Sequence, residues 1–305
     1  MRPGDYTSLI IVFALLAAAP IVAGPFYTRL LATGILYGMA AVGFNILFGY
    51  TGLLSFGHAM FWGTGGYVVA IATTKLGLPF PISLAAALAV VGIVALVTGF
   101  LSLRHTRIYF AMLTLAFGQL IYAIALKWRS VTGADEGIYG IPRPLGDVTL
   151  YYYLILAVSL AVLAAALKML KSPLGLAFRS IRDNSFRAEV VGYPVNRLRL
   201  LSYIISGLIT GIAGALYAPL QTSINPESLY WTFSAAIVFM TILGGPRVFI
   251  GPFIGGLLYV FIQDAAMGVT EYWLLATGAT IGALILLLPE GIVGYIWRRL
   301  GGRLE

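Results

Sequence analysis

The sequence predicts an all-α polytopic integral membrane protein with about ten transmembrane helices, within a range of eight to eleven. The mean hydropathy is +0.95. Only 10% of the residues are charged, against about 25% in a soluble domain. Apolar runs of about twenty residues, the length that crosses a bilayer, recur along the chain. At 305 residues, one bundle is favoured over two domains, so we expect a single domain over residues 1–305.

Ten apolar segments are the candidate spans. They are 8–24, 30–49, 54–73, 82–103, 108–126, 150–168, 200–220, 231–243, 248–264 and 273–289. The first resembles a signal peptide, but we expect an uncleaved span because its charged region is weak and another span follows at once. The third starts in a Gly-rich segment and is a candidate for a broken helix. The eighth reaches only ~20 Å as a helix, so we expect it to be tilted, extended or re-entrant.

Glycine is abundant inside these spans, with 36 residues in the chain. Pairs of Gly four positions apart predict close helix packing, because a small side chain lets two backbones approach. The pairs are Gly34 with Gly38, Gly207 with Gly211, Gly251 with Gly255, and Gly278 with Gly282. They indicate a tight bundle and no chemistry.

Lys and Arg orient the chain. With the N-terminus in the cytoplasm and ten alternating spans, the outer loops hold only Arg29, Lys75, Lys127, Arg129 and Arg143 of the 19 basic residues. The others, from Arg2 and Arg104 to Arg303, fall on the inner side, as the positive-inside rule requires. We therefore expect both termini and the 171–199 loop to be cytoplasmic. The net charge of +8 then reflects these loops and does not indicate nucleic-acid binding.

Motifs for other function classes are absent from the sequence. It has no P-loop, no H-E-x-x-H and no G-x-S-x-G. It has no cysteine and only two histidines, His58 and His105, so we expect no metal site, no catalytic residue and no cofactor in this chain. Asp264 and Glu271 fall at the outer ends of their spans, and only His58 lies near a span interior. Proton-driven transport is therefore disfavoured, whereas sodium coupling through backbone carbonyls stays open.

The first informative stretch is "GYTGLLSFGHAMFWGTGGY", residues 49–67. Irregular backbone at membrane depth is tolerated only when it is buried in protein or lines a cavity. One interpretation is a broken helix beside a translocation path, where Ser55 and His58 offer hydrogen bonds. The other is close helix packing with His58 bonded to a neighbouring carbonyl. The candidate path residues are Gly52, Ser55, Gly57, His58, Gly63 and Gly65.

The second stretch is "VTGADEGIYGIPRP", residues 131–144, in the longest outer loop. Its glycines permit tight turns and its prolines stiffen the exit. Such a loop could dock a soluble partner or be an ordinary connector. The candidate docking residues are Thr132, Gly133, Asp135, Glu136, Gly137 and Arg143.

The third stretch is the charged loop at about 171–199. Ser172 and Pro173 form a helix start, apolar residues alternate with Arg in "LGLAFRSIR", and Gly192 ends a second helical piece. It is either an interfacial helix whose Arg residues meet lipid headgroups or a docking element for a cytosolic subunit. The candidate coupling residues are Ser172, Pro173, Gly175, Arg179, Arg182, Asp183, Ala188, Glu189 and Gly192.

These three stretches, in this order, resemble the LivM-type permeases of branched-chain amino acid ABC importers (the HAAT family), over roughly residues 30–295. The resemblance implies a permease subunit in the bacterial inner membrane. Its implied partners are a homologous LivH-like permease, two ATP-binding subunits that bind the ATP, a periplasmic solute-binding protein and the lipid bilayer. It also implies that Ala188, Glu189 and Gly192 form a reduced EAA-type loop that engages the ATPase.

Two alternatives stay open. Relatives of this family also import urea, short amides and other small solutes, so the substrate could be one of these. A self-sufficient carrier or channel is an alternative of another class, but it would leave the 171–199 loop unused.

Overall fold

The computed structural model describes residues 4–22, 24–104 and 108–299, and most of these residues are helical. Arg2, His105, Arg107 and Arg303 lie outside the described residues. Ten longer helices are α1 (Gly4–Val22), α2 (Pro25–Thr51), α3 (His58–Thr74), α4 (Phe80–Ser102), α5 (Ile108–Lys127), α7 (Val148–Lys171), α10 (Val195–Gln221), α11 (Trp231–Gly244), α12 (Gly251–Val269) and α13 (Trp273–Leu287). The shorter ones are α6 (Arg129–Thr132), α8 (Pro173–Asp183), α9 (Ser185–Val190) and α14 (Ile292–Arg299).

Each of the ten predicted spans overlaps one of the ten longer helices, which confirms an all-α polytopic membrane protein. Within the described residues, seven helical segments are long and apolar enough to cross a membrane, and they contain α2, α4, α5, α7, α10, α12 and α13. Two further apolar helices are shorter, Tyr6–Ile21 within α1 and Trp231–Gly244. The number of crossings and the side on which the termini lie stay predictions.

The connections gather at two ends of the bundle. The basic end carries α8 and α9, the α11–α12 connection, and α14. The loop end carries residues 128–147 and 222–230. There, β1 (Ile138–Tyr139) pairs antiparallel with β2 (Ser223–Ile224), so that Ile138 lies opposite Ile224. Lys75 Nζ, just beyond α3, donates to the carbonyl of Ser130 over 2.7 Å. These contacts fix the loop against the bundle.

The centre of the bundle is the crossing of α3 and α10, which α2 covers. A Cβ at Gly65 of α3 would overlap the carbonyl oxygen of Gly211 in α10, and one at Gly214 would overlap the carbonyl of Trp62. The two backbones are therefore in direct contact. Lipid is as apolar as a Leu side chain, so helices in a membrane gain more from such close packing than from apolar burial.

Two irregular segments enter the bundle from opposite ends. Residues 52–57 lead from the basic end to the start of α3, and residues 222–230 lead from the loop end to the start of α11. The second contains a 3-10 turn, Pro226–Leu229, where Leu229 packs against Gly63. α11 itself has 14 residues, about 21 Å at 1.5 Å per residue. A short strand and a 3-10 turn thus lead into α11, and whether the eighth span is tilted, extended or re-entrant stays a prediction.

Candidate translocation and coupling sites

The predicted break lies before α3. Gly52 closes α2 in the left-handed region with φ 78°, and Ser55 is fully buried. Side chains satisfy the backbone N–H groups that follow: Phe56 N–H donates to Thr114 Oγ1 over 3.2 Å and Gly57 N–H to Ser55 Oγ over 3.2 Å. Irregular backbone at this depth is stable because these groups have partners within the protein.

His58 is the first residue of α3 and has no exposed surface. Its Nε2 lies 2.7 Å from Ser206 Oγ of α10. The rings of Phe44 and Phe61 meet its ring edge-on, at centroid distances of 5.0 and 5.6 Å. The partner is a hydroxyl, so the carbonyl partner expected from the packing interpretation is wrong. His58 nevertheless joins α3 to α10 as a packing residue would.

Gly63 and Gly65 lie inside continuous helix, away from the break. Gly63 packs against Leu229 and Gly65 against the backbone of Gly211. Their geometry is that of close helix packing. The six candidates therefore separate into a break, a buried histidine and two packing glycines, and their part in transport stays a prediction.

The predicted coupling segment forms two capped helices at the basic end. Ser172 Oγ accepts the N–H of Leu174 at the start of α8, and Pro173 is its first residue. Asn184 Oδ1 accepts the N–H of Arg187 at the start of α9. Gly192, with φ 100°, follows α9. The sequence-based start of the first helix and end of the second are confirmed.

The buried face of this segment fixes it to the bundle. Phe178 of α8 is fully buried, and Ala188 of α9 packs in one apolar cluster with Ile181. A Cβ at Gly175 would overlap the carbonyl oxygen of Leu170, which brings α8 tightly against the end of α7. Arg179 Nη2 donates to that same carbonyl over 3.3 Å.

Arg182 connects the coupling segment to the break. Its Nη1 donates to the carbonyl of Gly49 over 2.9 Å, and its Nε donates to Asp183 Oδ1 over 3.0 Å. The Arg182 side chain also packs against Gly52. A predicted coupling residue and a predicted path residue are therefore in contact. Movement of α8 would act directly on the end of α2 and the start of the break.

The outer face of the segment is apolar and open. Leu176, Phe186, Val190 and Val191 are 58, 76, 71 and 73% exposed, and Glu189 is also exposed. Beside α8, an open crevice of about 480 Å³ is lined by residues that include Arg182, Asp183 and Arg247. The exposed apolar side chains and the charged crevice lie on the same α8–α9 segment and offer another protein both apolar and charged contacts.

The loop end holds the second predicted set. Thr132 is buried and its hydroxyl donates to the carbonyl of Ala125 over 2.6 Å. Gly133 and Gly137 turn the chain at positive φ. Asp135 and Glu136 are exposed, and Glu136 lies 3.7 Å from Arg129. Arg143 turns inward, and its Nη2 donates to the carbonyl of Leu220 over 3.4 Å. In this set, the two carboxylates are therefore the accessible charges.

Sequence reasoning missed an aromatic cluster in the bundle. Tyr37 of α2 lies with its ring centroid 5.5 Å from Trp62, 5.2 Å from Phe233, 6.2 Å from Tyr217 and 6.3 Å from Tyr259. These residues come from α2, α3, α10, α11 and α12. They are spread over more than 200 positions of a sequence rich in aromatics, so no local pattern marks them. We call these five residues the aromatic cluster.

A multi-helix membrane bundle with a broken helix and a capped helix pair at one end has the architecture expected of a transport permease. The family model described as "Branched-chain amino acid transport system / permease component" matches residues 26–289. The chain belongs to this family. It is a transport subunit and not an enzyme, as predicted.

Named relatives agree with this assignment. The LivM permease protein of the high-affinity branched-chain amino acid transport system of Escherichia coli is 26% identical over 85% of this chain and 68% of its own length. The LivH permease protein of the same organism is 24% identical over 86% of this chain and 92% of its own. BraD of Pseudomonas aeruginosa is 27% identical over 87% and 93%. No solved structure matches the chain.

Proposed function

We propose that this chain is the permease subunit of an ABC importer that moves branched-chain amino acids inward across the bacterial inner membrane. The basic end faces the cytoplasm and carries both termini. A homologous LivH-like permease pairs with this chain. Two ATP-binding subunits supply the energy, and a periplasmic binding protein delivers the substrate to the loop end, where it meets Asp135 and Glu136.

The observation that carries this proposal is the α8–α9 segment. It is capped at both helix starts and is fixed to the bundle through Phe178 and Arg182. It also presents exposed apolar side chains, led by Phe186. A self-sufficient carrier has no use for such a surface. A permease driven by a separate ATPase needs a rigid element that receives force on one face and passes it to the spans on the other.

A variant pair tests the coupling surface. Phe186 and Tyr139 are similarly exposed, at 76 and 71%, but lie at opposite ends of the bundle. We expect Phe186→Glu to reduce co-purification of the ATP-binding subunits by at least about tenfold, as loss of an interface hot spot does. Tyr139→Glu should leave this recovery unchanged. Equal recovery with both variants would contradict a coupling role for the segment.

Transport itself is measured with the full complex in proteoliposomes. We expect leucine uptake that needs ATP on the basic side and the binding protein on the loop side. Leucine uptake by this chain alone without ATP would instead establish a self-sufficient carrier. ATP-driven uptake of urea or acetamide with no uptake of leucine would establish the alternative substrate class.

A further inference from the structure

Two opposite charges lie deeper in the helices than the sequence predicts. Arg29 was expected in an outer loop, yet α2 begins at Pro25, so Arg29 is within its first turns. Asp264 was expected at the end of its span, yet α12 continues to Val269. Both charges therefore lie within helices, close to the helix ends at the loop end of the bundle. Ionisable side chains in membrane helices are costly and commonly mark a solute path.

Arg29 and Asp264 line one cavity near the loop end. It has a volume of about 260 Å³ and lies between α2, α12 and the end of α10. Among the described residues, no ion pair within 4.0 Å joins Arg29 to Asp264 or either of them to another residue. A cation and an anion thus line the same space without forming a direct ion pair.

The Arg29 guanidinium is held in place. Its Nη2 donates to the carbonyl of Leu220 over 3.3 Å, at the negative end of the α10 dipole. Its buried Nε has no hydrogen-bond partner among the described residues. The guanidinium therefore keeps donors available, in the planar fork that suits a carboxylate.

The rest of the cavity wall combines apolar and polar side chains, as a site for an aliphatic amino acid requires. Leu30, Val260 and Met267 supply apolar surface, while Gln221 and Gln263 supply amide groups. The volume is below the ~300–1,000 Å³ of pockets for drug-sized ligands, so it suits one small solute. A zwitterion would provide an opposite charge for each of the two side chains, whereas a neutral solute such as urea would provide none.

We propose that this cavity is a binding site for a zwitterionic amino acid with an aliphatic side chain. Arg29 binds the α-carboxylate, Asp264 binds the α-ammonium, and the apolar wall receives the side chain. The proposal rests on the transport function proposed above and names, in this chain, the residues that recognise the substrate.

The surroundings of the cavity fit a path. A second cavity of about 170 Å³, lined by polar residues that include Ser223, Asn225 and Ser228, shares Gln221 with it. The aromatic cluster borders both cavities, because Tyr37 lines the first and Tyr217 lines the second. In this proposal, a solute from the loop end reaches the charged cavity beside the polar one, and the aromatic cluster closes the bundle next to both.

The absence of cysteine from the chain allows a direct test of occupancy. Thr33 lines the cavity, and Thr33→Cys changes little in size. In the full complex, we expect leucine to slow maleimide labelling of this variant by at least about tenfold at concentrations well above its dissociation constant. Ala123→Cys, in a separate cavity on α5, is the matched control and should label at the same rate with and without leucine.

Two charge variants and two analogues then assign the groups. In the Thr33→Cys background, half-protection should need at least about tenfold more leucinamide or 4-methylpentanoate than leucine, because each lacks one charged group. In the Asp264→Asn variant, the concentration of leucine for half-protection should rise to that of 4-methylpentanoate. The concentration of 4-methylpentanoate for half-protection should stay unchanged. In the Arg29→Gln variant, the concentration of leucine for half-protection should rise to that of leucinamide. Glu271→Gln changes an exposed residue beyond α12 and is the control. It should leave leucine more protective than either analogue.

The outcomes separate the two proposals. If the complex imports leucine but leucine does not protect the Thr33→Cys variant, or both charge variants keep the original order of ligands, the binding site is wrong and the transport function stands. If a charge variant weakens the protection by all three ligands equally, the substituted residue has a purely structural role. That result would also contradict the proposed binding site. If the complex imports urea and not leucine, both proposals fail.

Discussion

Helices α3 and α13 have similar compositions and opposite environments. Both are short, apolar and contain more than one glycine. α3 buries most of its residues, including His58, Trp62 and Gly65. α13 buries only Thr277 and Ile281 among its described residues, and its Leu275 and Leu286 are 76 and 85% exposed.

The same contrast holds at single glycines. A Cβ at Gly65 would overlap the backbone of Gly211, whereas Cβ atoms at Gly278 and Gly282 would meet nothing within 4 Å. A small-residue pattern thus shows that a close approach is possible, and the packing of the whole bundle decides whether it occurs. Composition alone does not distinguish a helix at the centre from one at the edge.

The largest effect is expected for a substitution at Gly65, where the backbones of α3 and α10 are in contact. Gly65→Leu would force α3 and α10 apart, and overpacking of this kind costs about 3 kcal/mol or more when backbone must move. We expect the variant to lose most of its monodisperse protein after mild heating in detergent. Gly282→Leu, the matched change in α13, should stay within about 0.5 kcal/mol of the parent. Equal loss in both variants would show that the α13 face is also tightly packed.

The sequence predicts the helical elements well and their neighbours poorly. Runs of apolar residues locate all ten longer helices, and Ser172, Pro173 and Gly192 mark the bounds of α8 and α9, because both signals are local. The contact of Arg182 with Gly49, the aromatic cluster and the cavity between Arg29 and Asp264 each join residues more than 130 positions apart. Only the folded chain brings them together, so a single sequence contains no local trace of them.

The second prediction concerns the hydrogen bond between α3 and α10. His58→Ala removes a buried ring and leaves the Ser206 hydroxyl without its partner, which we expect to cost about 2–4 kcal/mol. A double-mutant cycle with Ser206→Ala, measured by equilibrium unfolding in SDS, isolates the pair. The coupling energy should be about 0.5–1.5 kcal/mol. A value near zero would mean that His58 stabilises the protein through packing against Phe44 and Phe61 alone.

The smallest effect is expected for the loss of one hydroxyl group, compared between the start of α3 and α13. Ser234 Oγ of α11 accepts the N–H of Ala59 over 2.8 Å and so caps the first turn of α3 inside the bundle. Ser234→Ala should cost about 1 kcal/mol, as loss of a helix cap does. Thr280 of α13 is exposed, and its partner among the described residues is the carbonyl of Ala276 in its own helix, over 2.8 Å. Thr280→Ala should therefore change the free energy of unfolding by less than about 0.5 kcal/mol. Both are measured by the same SDS titration. A cost for Ser234→Ala no larger than that for Thr280→Ala would mean that other groups or water satisfy the start of α3, and that the break at residues 52–57 does not depend on α11.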